Sequence, residues 1–212
     1  MALSAPAVAA PPADGQAWAT VTASGAVSGR WLAQAESDTR LGNDFPRVYQ
    51  QELIAGLGYK VGDSASAYAG YSVIVDFRPN LPNRVEHRPY QQLNLNLGTL
   101  GGGTLSARTR LEERFVEGFG DMGLRLRQQV RYVHPLVGKL SAFGTAEFFF
   151  NLNDTDWGAR SGFDRWRIGG GLRHPIGRNI AAELGYLNQR TARSWAPDQT
   201  DHILTTALAY SF

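Results

Sequence analysis

Asp201–Phe212 reads DHILTTALAYSF, and its side chains alternate in character at every second residue up to the last position of the chain. Because successive side chains of a β-strand point to opposite faces, this period predicts a strand and not a helix. One predicted face carries Leu204, Leu208, Tyr210 and Phe212, which are apolar or aromatic. The last segment of the chain is therefore predicted to be a strand that ends in an aromatic residue.

Ten further segments with the same two-residue period precede this strand. Each has about the 9–11 residues, or slightly more, that a tilted strand needs to cross a bilayer. A direct reading of the sequence therefore counts eleven strands. The ten preceding segments are Gln16–Val27, Arg30–Arg40, Arg47–Tyr59, Ser64–Phe77, Val85–Leu97, Thr104–Phe115, Asp121–Tyr132, Leu140–Asn151, Gly162–His174 and Asn179–Arg190.

The connections between these segments alternate in length. Transmembrane β-barrels have this rhythm, because short turns join strands at the periplasmic rim and longer loops join them outside. The short connections are Val27–Gly29, Val61–Asp63, Gly101–Gly103, Pro135–Lys139 and Pro175–Arg178, and the longer ones are Leu41–Pro46, Arg78–Arg84, Val116–Gly120, Leu152–Ser161 and Thr191–Thr200.

Charged and apolar side chains fall on opposite faces of the predicted strands. In Thr104–Phe115, for example, Leu105 and Leu111 alternate with Arg108 and Arg110. A soluble barrel has the same alternation with its apolar face turned inward, so the period alone does not decide between the two. Aromatic residues favour a membrane barrel, because they collect near strand ends, where the membrane interfaces lie. The residues predicted to face lipid are Leu126, Val130, Trp166, Ile168, Leu184 and Leu208.

These patterns predict one all-β domain over residues 16–212, a transmembrane, antiparallel, up-and-down β-barrel of about 10–12 strands. The direct count of eleven conflicts with the even strand number of bacterial single-chain barrels. Three alternatives resolve the conflict. The first two segments form one long bent strand, which gives ten strands; one strand is missed, which gives twelve; or Ala5–Gln16 threads up through the lumen, so that the first strand runs downward.

Residues 1–15 precede the predicted barrel and have a different composition. Ala7-Val8-Ala9 fits the small-residue pattern of a signal-peptidase site, and Pro11–Gly15 is loop-like. We interpret this segment as a residual export signal followed by a loose tail. The chain has no Cys, so it can form neither a disulfide nor a thiolate metal site and is compatible with an oxidising compartment.

Several stretches of the sequence resemble the bacterial outer-membrane proteins grouped as domain of unknown function 2490. The resemblance covers most of the chain, and it implies an export signal, an outer-membrane β-barrel and a Gram-negative source, but no activity and no functional residue. The stretches are Arg108–Phe115 (RTRLEERF), Leu124–Pro135 (LRLRQQVRYVHP), Glu147–Gly158 (EFFFNLNDTDWG), Gly162–Arg165, Gly169–Leu172 and Gly185–Arg190.

The expected location is therefore the bacterial outer membrane, with its lipids as partners. The C-terminal strand ending in Phe212 resembles the signal that the outer-membrane assembly machinery recognises, which makes that machinery a second expected partner. The formal net charge is only +2, and basic and acidic residues are mixed along the chain, so nucleic acid is not an expected partner.

An arginine-rich set of side chains is the main candidate site. An arginine facing lipid at the bilayer midplane costs about 2–4 kcal/mol, so these side chains are expected to point into the lumen. They either pair with carboxylates and fill a narrow barrel, or line a narrow, porin-like pore for small anionic or polar solutes. We favour the filled lumen. The set comprises Arg108, Arg110, Arg114, Arg125, Arg127, Arg131, Arg165, Arg167 and Arg173, with Glu52, Glu112, Glu147 and Glu183 on comparable faces.

On two neighbouring predicted strands, Thr104–Phe115 and Asp121–Tyr132, arginines are expected to lie opposite arginines. Arg108, Arg110 and Arg114 are predicted to face Arg125, Arg127 and Arg131 across the hairpin at Val116–Gly120, with Glu112 as the one acid on that face. Opposed like charges repel unless they are neutralised. We therefore expect Glu52 and Glu147 to reach the cluster from other strands, or a solute anion to bind there.

Two other candidates are weaker. The oxygen-bearing side chains of Asn153, Asp154 and Asp156 suit a hard cation such as Ca²⁺, but Asn and Asp also turn the chain through hydrogen bonds to backbone, which we favour. No nucleophile motif accompanies His87, His134, His174 or His202, so a membrane-embedded hydrolase is a remote alternative. We expect neither an enzyme nor a cofactor.

Overall fold

The computed structural model describes residues 13–42, 46–193 and 196–212, and these form eleven β-strands in a closed barrel. Each strand matches one of the eleven predicted segments to within three residues at either end. No helix in the described ranges is long and apolar enough to cross a bilayer. The strands are β1 (Ala13–Ser28), β2 (Trp31–Gly42), β3 (Arg47–Lys60), β4 (Ala65–Asp76), β5 (Arg84–Leu100), β6 (Gly103–Val116), β7 (Met122–Pro135), β8 (Ser141–Asn151), β9 (Gly162–Pro175), β10 (Ile180–Thr191) and β11 (Gln199–Ser211).

The barrel closes through a parallel pair of strands. Every strand is antiparallel to its neighbour in sequence, but β1 pairs in parallel with β11, from Ala13 opposite Thr200 to Ser24 opposite Ser211. In an up-and-down barrel with an odd number of strands, the first and last strands run in the same direction, so a parallel pair is the one closure available. The direct count of eleven is confirmed, and the inference that the number must be even is wrong.

The three alternatives for the strand number are resolved by the same pairing, which closes the barrel with eleven strands and so excludes the alternative of a missed twelfth strand. β1 and β2 are separate strands in an antiparallel hairpin, which excludes the ten-strand alternative. β1 does run in the direction of β11, as the threading alternative required, but Gln16 pairs with Ile203 in the barrel wall instead of crossing the lumen. The earlier part of the proposed thread, Ala5–Pro12, and most of the proposed export signal lie outside the described residues.

The two rims of the barrel differ as the sequence predicts. Short turns at 29–30, 61–64, 101–102, 136–140 and 176–179 lie at the rim where the chain ends, which we call the turn rim. The longer connections 77–83, 117–121 and 152–161, with residues 192–193 and 196–198, lie at the opposite rim, which we call the loop rim.

The outer face of the barrel is apolar. Val130, Ile168, Leu184 and Leu208 are between 40% and 57% exposed there. Leu126 and Trp166, which are partly exposed, alternate with inward-facing arginines on the same strands. The core of the molecule is therefore the lumen, and it is largely polar.

Candidate functional site in the barrel lumen

The arginines of β6 and β7 share the inner face but are less directly opposed than the sequence predicts. Arg110 faces Arg127 across the ladder, whereas Arg125 faces Glu112. The prediction that three arginines of each strand oppose one another is wrong, because the register places a neutral or acidic residue opposite each of the others. Those pairs are Arg108 with Gln129, Arg114 with Gly123 and Ser106 with Arg131.

Glu112 is the centre of the cluster and is 1% exposed. Its Oε2 accepts a hydrogen bond from the Arg125 Nη2 at 2.5 Å, and its Oε1 accepts one from the Arg127 Nη1 at 2.7 Å. The Arg110 Nη1 lies 4.0 Å from the same Oε1. One carboxylate thus lies within 4.0 Å of three guanidinium groups, and both of its oxygens accept charge-assisted hydrogen bonds.

Glu147, on β8, is the second carboxylate that reaches the cluster, as expected. Its Oε1 accepts hydrogen bonds from Arg127 at 2.8 Å and from Arg108 at 3.0 Å. Its Oε2 lies 4.0 Å from the Arg167 Nη1 of the neighbouring strand. Arg127 therefore bridges Glu112 and Glu147, and it links three consecutive strands across the inner face.

Glu52 contacts a different set of arginines. Within the described residues its ion pairs are with Arg40 at 3.4 Å and Arg88 at 3.7 Å, not with the arginines of β6 and β7. The expectation that Glu52 neutralises the β6 and β7 cluster directly is wrong. It lies on β3, across the lumen from β7, and the side chains that meet it come from β2 and β5.

Sequence reasoning missed a group of inward-facing charges near the loop rim. Glu86 accepts hydrogen bonds from Arg88 at 2.7 Å and from Arg114 at 2.6 Å, and Asp38 pairs with Arg40 at 2.7 Å. The signal was present, since Glu86 and Arg88, like Asp38 and Arg40, are two residues apart and so share one strand face.

The remaining predicted arginines also have carboxylate partners. Glu183 pairs with Arg131 at 2.8 Å and Arg173 at 2.6 Å, and Asp164 pairs with Arg165 at 2.7 Å. All nine arginines that the sequence singles out thus lie within 4.0 Å of a carboxylate. Within the described residues these ion pairs form several separate groups, the largest of them around Glu112 and Glu147, and none of the nine arginines is left as a free cation.

Aromatic rings fill the space that the ion pairs leave. The Tyr90 ring, 1% exposed, lies over Gly56 and Gly70, where a Cβ atom would collide with it, and its hydroxyl accepts a hydrogen bond from the Gln34 Nε2 at 2.8 Å. The Arg110 guanidinium stacks on this ring, 4.3 Å from its centroid. The missing side chains at the two glycines let one tyrosine span from β5 to β2.

The rings of Phe149 and Trp18 also stack with arginines inside the lumen. Phe149 is 1% exposed, and the guanidinium groups of Arg127 and Arg167 lie 4.8 and 4.7 Å from its centroid. Trp18 stacks with Arg40 at 4.1 Å and with Arg167 at 4.7 Å. Stacked cations of this kind gain about 0.5–2 kcal/mol each, more when desolvated.

Two adjacent cavities in the described part of the lumen are lined by the charged side chains. The turn-side chamber has a volume of about 450 Å³ and the loop-side chamber one of about 210 Å³. Arg40, Glu52, Arg127 and Arg167 line both chambers, so these four side chains form the partition between them. Arg127, one of the four, contacts both Glu112 and the Phe149 ring.

The connection between β8 and β9 folds over the loop rim. The Trp157 indole lies against Gly123, where a Cβ atom would collide with it, and donates a hydrogen bond from Nε1 to the Asp121 carbonyl at 2.9 Å. Arg114 and Arg84 both stack on its ring, with centroid distances of 4.7 and 5.4 Å. This connection therefore covers part of the loop-side chamber.

The candidate cation ligands belong to this connection and each binds a different backbone segment. Asn153 accepts a hydrogen bond from the Leu124 N–H at 2.7 Å, and Asp156 accepts one from the Gly120 N–H at 2.9 Å. Asp154 accepts one from the Ser161 N–H at 2.7 Å, and this bond holds its pKa below the ordinary value. The oxygens fix the loop, and in the described ranges no group of three or more His, Cys, Asp or Glu is arranged to hold a metal.

Three of the four histidines pair with tyrosine hydroxyls. The Tyr71 hydroxyl lies 2.7 Å from the His87 Nδ1 and that of Tyr186 lies 2.6 Å from the His202 Nδ1. The Tyr132 hydroxyl lies 3.2 Å from His134. Within the described residues no hydrogen bond joins a histidine to a serine or threonine hydroxyl, so no nucleophile and base pair is assembled there.

The fold and the lumen together define a class: an eleven-stranded closed β-barrel with an apolar outer face and an inner face filled by an arginine and carboxylate network. The family model described as protein of unknown function DUF2490 matches residues 15–200, and the chain belongs to this family. It is also similar to an uncharacterised protein of Methylorubrum extorquens, with 42% identity over 98% of this chain and 92% of the relative.

Proposed function

We propose that this chain is a barrel of the bacterial outer membrane, made with an export signal. The apolar outer face supports this, because exposed apolar surface costs about 25 cal/mol per Å² in water and nothing comparable in lipid. The polar lumen supports it as well, since a soluble barrel of this kind would bury its apolar face instead. Outer-membrane lipids are then its surroundings.

The C-terminal strand, β11, is the part of the chain through which we expect the barrel to be assembled. It forms the closing seam with β1, and the Phe212 N–H donates a hydrogen bond to the Ser24 carbonyl at 3.1 Å. A strand that closes the barrel last is exposed until β1 meets it. We propose that the assembly machinery binds this strand, ending at Phe212, before closure.

We propose that the barrel serves as a structural or interaction protein and is neither an open pore nor an enzyme. The observation that carries this is the partition, in which Arg127 joins Glu112 and Glu147 at 2.7 and 2.8 Å between the two chambers. A buried ion pair with satisfied hydrogen bonds is costly to break, by about 3–5 kcal/mol when one partner is lost. Ions therefore meet a fixed barrier midway through the lumen.

Conductance in planar lipid bilayers tests this role. We expect the purified wild-type protein to insert without steady channels, and the double variant Glu52→Ala with Arg127→Ala to conduct, because it removes two of the four partition side chains and one charge of each sign. Arg30→Ala is the matched control, since Arg30 stacks on Tyr59 at the turn rim, away from the partition, and should stay silent. Steady conductance of the wild type would overturn the proposal.

A narrow anion pore is the second candidate, and one observation favours it. Among the residues that line the two chambers, arginines outnumber carboxylates by twelve to seven. If the wild type conducts, this excess predicts anion selectivity, and replacing Arg110 and Arg127 by Glu should shift selectivity toward cations. A conducting wild type with cation selectivity would exclude this candidate too.

A further inference from the structure

The loop-side chamber is more basic than the rest of the lumen. Eight arginines line it, against Glu52, Asp76 and Glu86. Four other carboxylates, Asp38, Glu112, Glu147 and Asp164, bond to these arginines without lining the chamber. With all seven carboxylates counted, the arginines still exceed them by one.

Arg84 accounts for this excess. Within the described residues it makes no ion pair, and its Nε is buried without a hydrogen-bond partner. Asp76 is its direct partner in the β4 and β5 ladder, but the Asp76 Oδ1 accepts a hydrogen bond from Gln50 at 2.5 Å instead. A buried cationic donor without a protein partner costs more than a lost neutral hydrogen bond, so binding of an acceptor at the Arg84 Nε would be favourable.

A second arginine is held beside it. Arg84 and Arg114 stack on the same Trp157 ring, and both line the chamber. Arg125 and Arg165 also line the loop-side chamber. Arg114 bonds to Glu86 through Nε and Nη2, Arg125 to Glu112 through the same two atoms, and Arg165 to Asp164 through Nε, which leaves further N–H donors on each guanidinium.

We propose that the loop-side chamber binds a small oxyanion of the phosphate type, held by Arg84, Arg114, Arg125 and Arg165 beneath Trp157. The planar fork of a guanidinium matches the paired oxygens of such an anion, and charge-assisted hydrogen bonds are about twice as strong as neutral ones. The volume of about 210 Å³ suits a small polyatomic ion. The binding residues face the lumen, so the source is a free anion and not the headgroup of a surrounding lipid.

This inference depends on the chamber alone and not on conductance or location, so it stands or falls separately from the proposed function. The test is isothermal titration of inorganic phosphate into the full-length protein, folded in phosphate-free detergent. We expect saturable binding by the wild type and at least tenfold weaker binding by Arg84→Gln, which removes the excess charge without breaking an ion pair.

Arg108→Gln is the matched control, because Arg108 lines the turn-side chamber and its variant should bind phosphate as the wild type does. Equal mobility of the unheated proteins in gel electrophoresis shows that each variant is folded. The proposal is overturned if the folded wild type does not bind phosphate or if Arg84→Gln binds it equally well. It is also overturned if phosphate-bearing lipid in mixed micelles binds at this site and free phosphate does not.

Discussion

Arg110 and Arg127 are direct partners across the β6 and β7 ladder, and both guanidinium groups approach the same oxygen, Glu112 Oε1, at 4.0 and 2.7 Å. Two like charges opposed in a sheet repel each other. Here the repulsion is offset because Glu112 lies one inward position further along β6. The lumen is thus held together by the spacing of charges on adjacent strands, and this spacing makes it sensitive to single substitutions.

Replacing Glu112 by Gln should lower the free energy of unfolding by about 3–5 kcal/mol, because it leaves buried guanidinium groups without their carboxylate. Urea unfolding in lipid vesicles measures this. Glu117→Gln is the control, since that side chain is 61% exposed and its loss should cost no more than about 0.5 kcal/mol. Equal stability of the two variants would show that the network does not stabilise the fold.

The outer face gives a second prediction, which depends on the membrane location. Ile168 is 47% exposed on the outside of the barrel, so Ile168→Arg should lower stability in a bilayer by about 2–4 kcal/mol if it lies near the midplane. Ile168→Leu should have little effect. Arg167→Gln should be much milder for assembly than Ile168→Arg, because Glu147 keeps Arg127 and Arg108 as partners. An equal loss from Ile168→Arg and Arg167→Gln would contradict a lipid-facing role for Ile168.

The orientation of the barrel can be measured directly, because the chain has no Cys and any introduced thiol is unique. Ser161→Cys places a thiol at the loop rim, and Val137→Cys places one in an exposed turn at the turn rim. With an impermeant maleimide on intact cells, we expect Ser161→Cys to react and Val137→Cys to react only after the outer membrane is opened. The reverse labelling would mean that the barrel is inverted.

The connection between β8 and β9 should be loosened by Asp156→Ala. This change removes the acceptors for the Gly120 and Asp121 N–H groups, which hold the loop against its neighbour. We expect trypsin to cleave after Arg160 severalfold faster in the variant, with the barrel intact. Glu117→Ala, in the neighbouring loop, contacts His87 and should be cleaved at the wild-type rate. Unchanged cleavage in Asp156→Ala would show that these bonds do not restrain the loop.

Much of the fold follows from local pattern. The alternation of side chains between Gln16 and Phe212 defines eleven strands and their two faces, because a strand exposes every second side chain on one side. The alternation of short and long connections then distinguishes the two rims of the barrel. The odd strand number conflicted with a general rule, and the pairing of β1 with β11 resolved the conflict in favour of the direct count.

The partners inside the lumen depend on distances that no local pattern contains. The sequence determined that the arginines of β6, β7 and β9 share the inner face, because a period of two is a property of the chain itself. Only the tertiary structure decided that Glu86 and not Glu52 binds Arg114, and that Arg84 makes no ion pair with any carboxylate in the described ranges. The physical reason is that barrel closure and register set which side chains meet across the lumen, and a shift of one residue would exchange the inner and outer faces of a strand.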